Sequence, residues 1–452
     1  MATPCRTLLP LGRSPWPPAP PLALLVREPG APYRARDPER TALYRLFERH
    51  FEDYTRGHEE RFERASGALR PVVPRTVEAY LDCGRLYGGF ARLRCPQCKG
   101  EHLLAFSCQT RNFCPSCQAK RAALFAEKLE DEILALVPHR HVVFTVPKAL
   151  RGLFERERKL LGLLPRCAFG AVRRLYQGHF DRRDALPGMV ASIQTFGSAL
   201  NFHPHVHALI TDGMLEKGGG SLPLAAPDFD ALEELFRRLV LAELVKAERL
   251  SEGFRDRLLT WRHSGFSVYG AHVVLPEESG RLAHLARYAT RPPLAQQRVQ
   301  RHDERTYLLR TAPDPQTGAT QLALDPLELI HRLTQQIPDP RQHLVRYYGA
   351  YANRARHMYR PAAEELDRGG PGGPKLDPDA EPESEFATER RRSWARLLRK
   401  ILEVDPLLCP QCQVEMKIVS VITDPVVIDA ILRHVEEGGG HDPHAPRAPP
   451  AA

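Results

Sequence analysis

Three histidines on alternate positions are the residues of this chain best suited to chemistry. His203, His205 and His207 follow one another in the run NFHPHVHALIT. A β-strand repeats every two residues, so a strand here would point all three imidazoles to one face. The preceding run, Met189 to Phe196, is typical of a second strand, and antiparallel pairing would bring Gln194 near the histidines. Such nitrogen and oxygen ligands suit Mg²⁺ or Mn²⁺ at a phosphodiester and would also hold Zn²⁺. The plainer alternative is a polar strand edge or a strand of a structural zinc site.

Paired cysteines upstream predict a structural zinc site. Cys95 and Cys98 form one C-x-x-C, and Cys114 and Cys117 form a second one, with fifteen residues between the pairs. This spacing favours a tetrahedral site of four cysteines, because each tight turn presents two thiolates. Closed four-cysteine sites are structural, so the function of such a module would lie in the surface that it presents.

The other cysteines leave alternatives open. Cys83 and Cys108 are either further ligands or small buried hydrophobes, and we favour burial. Cys409 and Cys412 form a lone C-x-x-C, which is half a zinc site. A metal there would need other ligands, from a partner chain or from the histidines that follow: His434, His441 and His444.

Basic residues near the second cysteine pair predict a surface that contacts DNA. Residues 91–128 contain seven Lys and Arg against two Glu. Arg111, Lys120 and Arg121 interleave with aromatic and polar residues, as in surfaces that bind nucleic acid. The whole chain has a formal net charge of +9, which agrees with a polyanionic partner but does not identify DNA.

A tyrosine near the end of a predicted helix is the candidate nucleophile. The helix begins near Gly280 and stops at Pro292, and it carries Tyr288 between Arg287 and Arg291. A phenol in water ionises only near pH ~10, so its attack on phosphorus needs help. Neighbouring guanidiniums and a metal-bound phosphate would favour the phenolate. From chemistry alone, an ordinary amphipathic tyrosine is the simpler interpretation, since the chain has 13 tyrosines.

The elements that must position these residues indicate an α+β fold. Helical periodicity and apolar runs predict helices over 41–69, 119–137 and 228–251, and strands over 141–147 and from residue 264 onward. Their order favours an antiparallel sheet flanked by helices, preceded by the small zinc-binding domain with its four cysteine ligands. The basic and aromatic run at 345–360 either lines a groove for single-stranded DNA or packs its tyrosines as a helix.

Taken together, these motifs resemble the transposases of the insertion sequence 91 family, which are rolling-circle transposases built on the HUH nuclease core. The resemblance rests on His205-Val206-His207, on the HVVFTVP strand, and on the CG, SC and CPSC pieces of the cysteine cluster. The R-Y-x-x-R piece before a Pro-rich stop is similar to the tyrosine helix of the family. The resemblance therefore implies an HUH-type sheet with Tyr288 as the nucleophile.

One position departs from the family pattern. Many members carry two tyrosines one turn apart, and here the first position is His284. The resemblance thus predicts a single-tyrosine variant. Either one tyrosine acts twice in succession, or two subunits of a homo-oligomer contribute one each, or this copy is inactive.

The resemblance also implies a function. It predicts a transposase that nicks and rejoins single-stranded DNA, at the transposon ends and at the target, through a 5′-phosphotyrosine intermediate. His205 and His207, with Gln194 or His203, would hold the catalytic Mg²⁺ or Mn²⁺, and Zn²⁺ would be structural. Two alternatives stay open: a rolling-circle replication initiator with the same core, and a catalytically dead zinc-dependent DNA-binding protein.

Composition divides the chain into six segments. We predict a disordered Pro-rich arm (1–40), a helical and zinc-binding domain (41–137), an HUH-type catalytic domain (138–360), a flexible linker (361–390), a small C-terminal segment with the lone C-x-x-C (391–436) and a disordered tail (437–452). No apolar run approaches the ~20 residues of a membrane span, so we predict no membrane contact. The cysteine spacing favours metal binding over disulfides, which predicts a cytoplasmic location.

Overall fold

The computed structural model describes residues 37–224, 227–261, 264–314, 316–359 and 407–437. Most of the Pro-rich arm, the whole predicted linker, almost all of the tail and the first part of the predicted C-terminal segment lie outside these ranges. The helices are α1 Ala42–His58, α2 Val72–Leu81, α3 Pro115–Lys128, α4 Lys148–Arg156, α5 Leu163–Phe180, α6 Phe229–Lys246, α7 Glu252–Thr260, α8 Ser279–Ala289, α9 Pro326–Thr334, α10 Arg356–Tyr359 and α11 Pro425–Glu437. The strands are β1 Phe90–Arg94, β2 Glu101–Ala105, β3 His139–Thr145, β4 Gly188–Phe196, β5 Phe202–Thr211, β6 Gly213–Leu215, β7 Ser221–Pro223, β8 Ser267–Val274, β9 Val299–Arg301, β10 Tyr307–Arg310, β11 Gln321–Leu324, β12 Val345–Gly349 and β13 Lys417–Ile422.

A five-stranded sheet in the order β12-β4-β5-β3-β8 lies at the centre of the fold. Each neighbouring pair in it is antiparallel. β4 and β5 form the predicted hairpin, in which the N–H of Gly197 donates to the carbonyl of Asn201 at 3.1 Å. The register places Gln194 opposite His205 and Ser192 opposite His207. The hairpin therefore brings the predicted amide and imidazoles together, as the strand period required.

The two faces of this sheet pack against different helices. On β5, Val206 and Ala208 belong to the larger core, which includes buried residues of α5 and α6. His207 and Leu209 point the other way, because side chains alternate along a strand. Leu209 belongs to a second buried cluster with residues of α3 and α8. The histidine row is thus turned away from the main core and toward α8.

The N-terminal helices pack against a distant part of the chain. Thr41 caps α1 by accepting the N–H of Tyr44 at 3.1 Å. The buried face of α1 then joins a core with α2 and α9. Phe47 and Tyr80 belong to this core together with Leu329, so residues of the predicted N-terminal domain and of the last part of the predicted catalytic domain share one apolar cluster.

A three-stranded sheet joins the cysteine-rich region to the C-terminal segment. β1 pairs with β2 on one side and with β13 on the other, both antiparallel. In the second pairing Arg94 lies opposite Lys417. The segment predicted as a separate C-terminal unit therefore extends an N-terminal hairpin. The physical reason is size, since residues 407–437 are too few to bury a core of their own.

The predicted fold class is confirmed: an antiparallel sheet flanked by helices, preceded by a cysteine-rich region. Residues 345–359 of this run form β12, the turns after it and the short helix α10 rather than one continuous helix. Its tyrosines pack, since Tyr348 stacks on Phe169 and the hydroxyl of Tyr351 lies 2.6 Å from Nε2 of His139. Among the described helices, none combines the length and the apolar character that crossing a membrane would require.

Candidate active site and cysteine clusters

His205 and His207 bring two ring nitrogens face to face, with their Nε2 atoms 3.2 Å apart. The other nitrogen of each ring is engaged. Nδ1 of His205 donates to the carbonyl of His203 at 2.7 Å, and Nδ1 of His207 lies 2.9 Å from Nε2 of His141. A neutral ring that donates from Nδ1 presents a lone pair at Nε2. Two facing lone pairs repel unless a cation lies between them, and two nitrogens about 2.1 Å from one ion would be separated by about 3 Å.

Burial keeps these imidazoles neutral. Desolvation lowers the pKa of His205 and that of His141 to about 4, and it lowers the pKa of His207 well below its ordinary value. The positive charge of Arg291 adds to the effect at His205 and His207. A neutral imidazole is the form that binds a metal ion. The pair is therefore suited to a metal rather than to a shared proton.

Gln194 offers an oxygen on the strand next to the histidines. Its Nε2 donates to the carbonyls of Tyr288 at 3.1 Å and of Ala289 at 2.8 Å. Its Oε1 is buried and has no hydrogen-bond partner within the described structure. Such an orphaned acceptor, on the residue opposite His205, fits the third ligand of a cation. Nε2 of His203 is also buried without a partner there, so both predicted third ligands stay open.

Helix α8 places Tyr288 beside the histidine pair. The centre of its ring lies 5.4 Å from that of His207, with the ring planes nearly perpendicular. The guanidinium of Arg291 lies 4.4 Å from the centre of the tyrosine ring. His284, one turn earlier on the same helix, is exposed to solvent. The predicted nucleophile and the predicted ligands thus share one face of the sheet.

Side chains from two directions hold the C-terminal end of α8. Ser192 Oγ on β4 donates to the carbonyl of Ala289 at 2.8 Å, beside the contacts of Gln194. Gln118 on α3 donates from Nε2 to the carbonyl of Thr290 at 2.7 Å. The last carbonyls of a helix have no partner inside the helix. These bonds satisfy them and fix the turn that carries Tyr288.

The other basic residues predicted to contact DNA lie in different surroundings. Arg111 donates to two backbone carbonyls in the loop 339–342, at 2.6 Å and 3.1 Å. Burial lowers the pKa of Lys120 to about 8. Arg121 and Arg287 are exposed. The contacts of Arg111 give it a structural role, which the sequence pattern did not predict, while the two exposed arginines are accessible to a polyanion.

Two residues at the site were missed by the sequence analysis. His141 supports His207, as described above. Arg151 on α4 has a buried Nε without a partner among the described residues, and its charge lowers the pKa of His203 and that of His205. His141 lies in the quoted HVVFTVP run, but only the pairing of β3 with β5 reveals its role. No local signal marks Arg151.

The cysteines form two groups, and neither is the predicted one. The first group is Cys83, Cys108, Cys114 and Cys117, and the second is Cys95, Cys98, Cys409 and Cys412. Within each group, the four sulfur atoms all lie within 4.8 Å of one another. The predicted set of two adjacent C-x-x-C pairs is therefore wrong, and so is the interpretation of Cys83 and Cys108 as mere buried hydrophobes.

The β1–β2 hairpin explains the correction. Cys95 and Cys98 lie in its closing turn, whereas Cys83 precedes β1 and Cys108 follows β2 at the open end. Strands of five residues at about 3.3 Å per residue separate these ends by roughly 16 Å. One metal ion with ligands about 2.3 Å away does not span that distance. Adjacent pairs in the sequence thus serve different sites.

Comparison with known proteins agrees with this architecture. Residues 188–358 match the family model Y2_Tnp, described as "Putative transposase", and residues 47–146 match Zn_Tnp_IS91, described as "Transposase zinc-binding domain". The first covers the histidine hairpin and Tyr288. The second covers all four cysteines of the first group, and together with the cysteine geometry it supports structural zinc.

Two curated relatives are similar over most of the chain. The "Transposase for insertion sequence element IS801" of Pseudomonas savastanoi pv. phaseolicola is 29% identical over 376 residues, which are 79% of this chain and 86% of that protein. The "Putative transposase y4qJ" of Sinorhizobium fredii (strain NBRC 101917 / NGR234) is 28% identical over 330 residues, 68% of this chain and 81% of that protein. No solved structure matches the chain significantly. The predicted resemblance is confirmed: this chain is similar to the transposases of the insertion sequence 91 family.

Proposed function

We propose that this transposase nicks and rejoins single-stranded DNA, at the ends of its element and at the target, through a 5′-phosphotyrosine on Tyr288. One observation carries the proposal. The Nε2 atoms of the buried His205 and His207 rings lie 3.2 Å apart, and the ring of Tyr288 lies 5.4 Å from that of His207. Similarity to the transposase family supports DNA as the substrate.

The donor set suits a hard divalent cation. His205 and His207 would hold Mg²⁺ or Mn²⁺ through Nε2, with Oε1 of Gln194 or Nε2 of His203 as the third ligand. When bound, such an ion polarises a phosphate oxygen and stabilises the leaving 3′ oxygen. The orphaned Oε1 of Gln194 supports this assignment, because a buried amide oxygen without a partner is costly unless something binds it.

The residues of the chain supply the nucleophile and its surroundings. The phenol of Tyr288 releases its proton to solvent, its oxygen attacks phosphorus, and the bond from phosphorus to the 3′ oxygen breaks, so that the proton lost by the phenol balances the one that the 3′ oxygen gains. The 3′ oxygen takes a proton and leaves as a free 3′-OH, while the 5′-phosphate stays on Tyr288. Arg291, over the tyrosine ring, puts positive charge where negative charge develops. In the reverse step a 3′-OH attacks the phosphotyrosine and restores Tyr288, so no ATP is needed.

The single tyrosine limits how two strand transfers can be arranged. His284 occupies the preceding turn of α8 and is exposed. We propose that one tyrosine acts twice in succession or that a second subunit supplies another.

The reaction would take place in the cytoplasm. The grouping of the cysteines favours metal binding over disulfides, which supports this location.

Trapping the covalent adduct tests the proposal. The full-length protein is incubated with Mn²⁺ and single-stranded oligonucleotides that carry the ends of the element, and the modified residue is mapped by mass spectrometry. We expect the adduct on Tyr288 and its loss, with cleavage at least ~10³-fold slower, in Tyr288→Phe. Tyr269→Phe is the matched control, because this tyrosine is 59% exposed on β8, and it should cleave as wild type does.

Two outcomes would overturn the proposal. Cleavage that survives Tyr288→Phe would show that another group attacks the phosphate. Wild-type protein that binds the oligonucleotides but never cleaves them would favour the zinc-dependent binding protein. Duplex oligonucleotides of the same sequence test the strand preference, and cleavage of duplex as fast as of single strand would remove that part of the proposal.

A further inference from the structure

The second cysteine group consists of two copies of one tetrapeptide. Residues 95–98 and 409–412 both read Cys-Pro-Gln-Cys. Each is followed by a residue with positive φ, Lys99 at 63° and Gln413 at 56°. In the first copy the N–H of Lys99 donates to the carbonyl of Cys95 at 3.1 Å, and in the second the N–H of Gln413 donates to the carbonyl of Cys409 at 2.8 Å. The two copies therefore fold into the same turn.

Both turns also close a short antiparallel pair in the same way. The N–H of Cys95 donates to the carbonyl of Gly100 at 2.9 Å, and the N–H of Cys409 donates to the carbonyl of Val414 at 2.9 Å. A tight turn of this kind points both of its thiols to one side. Two such turns facing each other supply four sulfur ligands.

The sheet brings the two turns together across a long stretch of chain. β13 begins five residues after Cys412, and its first residue, Lys417, pairs with Arg94 directly before Cys95. As a result Sγ of Cys98 lies 3.7 Å from Sγ of Cys409, although the two residues are 311 positions apart.

The geometry of the four thiols matches a tetrahedral zinc site. Four sulfurs about 2.3 Å from one ion are separated by about 3.8 Å, whereas a disulfide requires about 2.05 Å. Cys95 and Cys409 are completely buried. Leu93, Leu407 and Met416 form an apolar cluster around them. Four thiolates leave no open position for a substrate, so the site is structural.

We propose that Cys95, Cys98, Cys409 and Cys412 bind a second zinc ion, and that this ion fastens the C-terminal segment to the β1–β2 hairpin. The segment 407–437 is too short to hold itself in place with a core of its own. Besides the pairing of β13 and the apolar cluster around the cysteines, the segment packs Ile428 and Leu432 against Phe90 and Leu103. The zinc ion would therefore supply much of the free energy that docks it.

Zinc content of the full-length protein tests this site by measurements that do not depend on activity. We expect two zinc ions per chain in wild type and one in Cys409→Ser/Cys412→Ser. Adding Cys95→Ser/Cys98→Ser to that variant should leave one ion, because all four residues belong to one site. Adding Cys83→Ser/Cys117→Ser to Cys409→Ser/Cys412→Ser should leave no zinc ion, because both sites are then disrupted.

Controls keep the result interpretable. Cys167→Ser removes a buried cysteine outside both groups and should keep two ions. Cys412→His keeps a ligand and should also retain both ions. Limited trypsinolysis provides a second measurement: Lys417, in β13, should be cut at least about tenfold faster in Cys409→Ser/Cys412→Ser than in Cys412→His.

Two results would overturn the proposal. One is a Cys409→Ser/Cys412→Ser variant that is folded by circular dichroism and contains as much zinc as wild type. The other is simultaneous loss of both ions in that variant while it is folded by circular dichroism, which would show that Cys409 and Cys412 do not belong to a site separate from the first one.

Discussion

Hydrogen bonds at the second nitrogen of each imidazole decide what the histidine pair can bind. His205 is oriented by a carbonyl of its own strand and His207 by the ring of His141. The rings of His141 and His207 are nearly parallel, 5.1 Å apart between centres. Partners of this kind fix the tautomer and orientation of a ligand histidine. His141 is therefore a positioning residue for the candidate metal site.

Replacing His141 tests this role. His141→Phe keeps an aromatic ring but removes the nitrogen that is hydrogen-bonded to Nδ1 of His207. We expect the affinity for Mn²⁺, measured by calorimetry on zinc-loaded protein, to fall about 10- to 100-fold. His139→Phe is the matched control, because His139 is also buried on β3 and contacts Tyr351 instead. It should lower stability yet leave Mn²⁺ affinity unchanged, and equal affinities of all three proteins would contradict the assignment.

For single residues, the sequence predicts features that depend only on neighbouring positions in the chain, such as the face of a strand to which a side chain points. The alternation of His203, His205 and His207 needs only the period of a strand, so the shared face was predictable. His141 was not, because its contact with His207 depends on the β3–β5 register, which pairs residues 66 positions apart. The contacts of Arg111 were not predictable either: it donates to backbone carbonyls of residues 339 and 342, more than 200 positions away, and its contact with DNA stays a prediction.

Among the elements, the tyrosine helix α8 depends on neighbours for its position. Its last carbonyls accept from Ser192 and Gln194 on β4 and from Gln118 on α3. Gln118 directly follows Cys117 of the first cysteine group, and its Oε1 accepts the N–H of Asn112 at 3.1 Å. One amide thus connects the zinc-binding region to the turn that carries Tyr288.

Breaking this connection should slow the reaction without weakening metal binding. Gln118→Leu keeps the size of the side chain but removes its bond to the carbonyl of Thr290. A hydrogen bond contributes about 1 kcal/mol, so we expect cleavage of single-stranded DNA to slow on the order of tenfold. Ser116→Ala, at an exposed position of α3, is the control. A rate for Gln118→Leu equal to that of Ser116→Ala, at equal Mn²⁺ affinity, would show that α8 does not need this bond.

The cysteine groups show why the pairing of ligands could not be predicted from their spacing in the sequence. The β4–β5 hairpin was predictable because turn residues separate two runs of strand character. The β1–β2 hairpin, only five residues per strand, was not predicted, although it alone separates Cys95 and Cys98 from Cys114 and Cys117. Spacing identified cysteines that bind metal, but the length of an intervening hairpin decided which of them share a site.

Across the described residues, parts of the chain that are distant in sequence share cores and sheets. α1 and α2, near the N-terminus, share a core with residues 294–337, and β13 completes a sheet that begins at Phe90. Composition marked the Pro-rich and Gly-rich stretches, but pairings between distant parts leave no trace in composition. Residues on either side of the predicted boundary at 137 therefore depend on each other for stability.

The core that joins α1 to α9 contains a buried histidine with consequences for stability. His331 is 8% exposed, and its ring stacks on Phe62 at 4.2 Å. Nδ1 lies 3.2 Å from the hydroxyl of Tyr54, and Nε2 lies 3.0 Å from Oγ of Ser66. Burial, with further contributions from nearby cationic groups, lowers its pKa to about 4. The cationic groups concerned are His58, Arg332, Arg61 and Arg158.

This lowered pKa predicts a loss of stability in acid. The unfolded chain binds a proton at residue 331 near pH ~6.5, whereas the folded chain resists it down to about 4. Stability from His331 is therefore complete above pH ~6.5 and declines as the pH falls toward 4, by up to about 1.4 kcal/mol per pH unit. Urea unfolding of wild type and His331→Gln at pH ~7 and pH ~5 measures it, with the exposed His302→Gln as control. We expect His331→Gln to lose less stability between these pH values than the other two proteins. Equal losses of unfolding free energy in all three proteins would mean that this core accepts the charged imidazole. The interface between α1 and α9 would then be more accessible to water than the burial of His331 indicates.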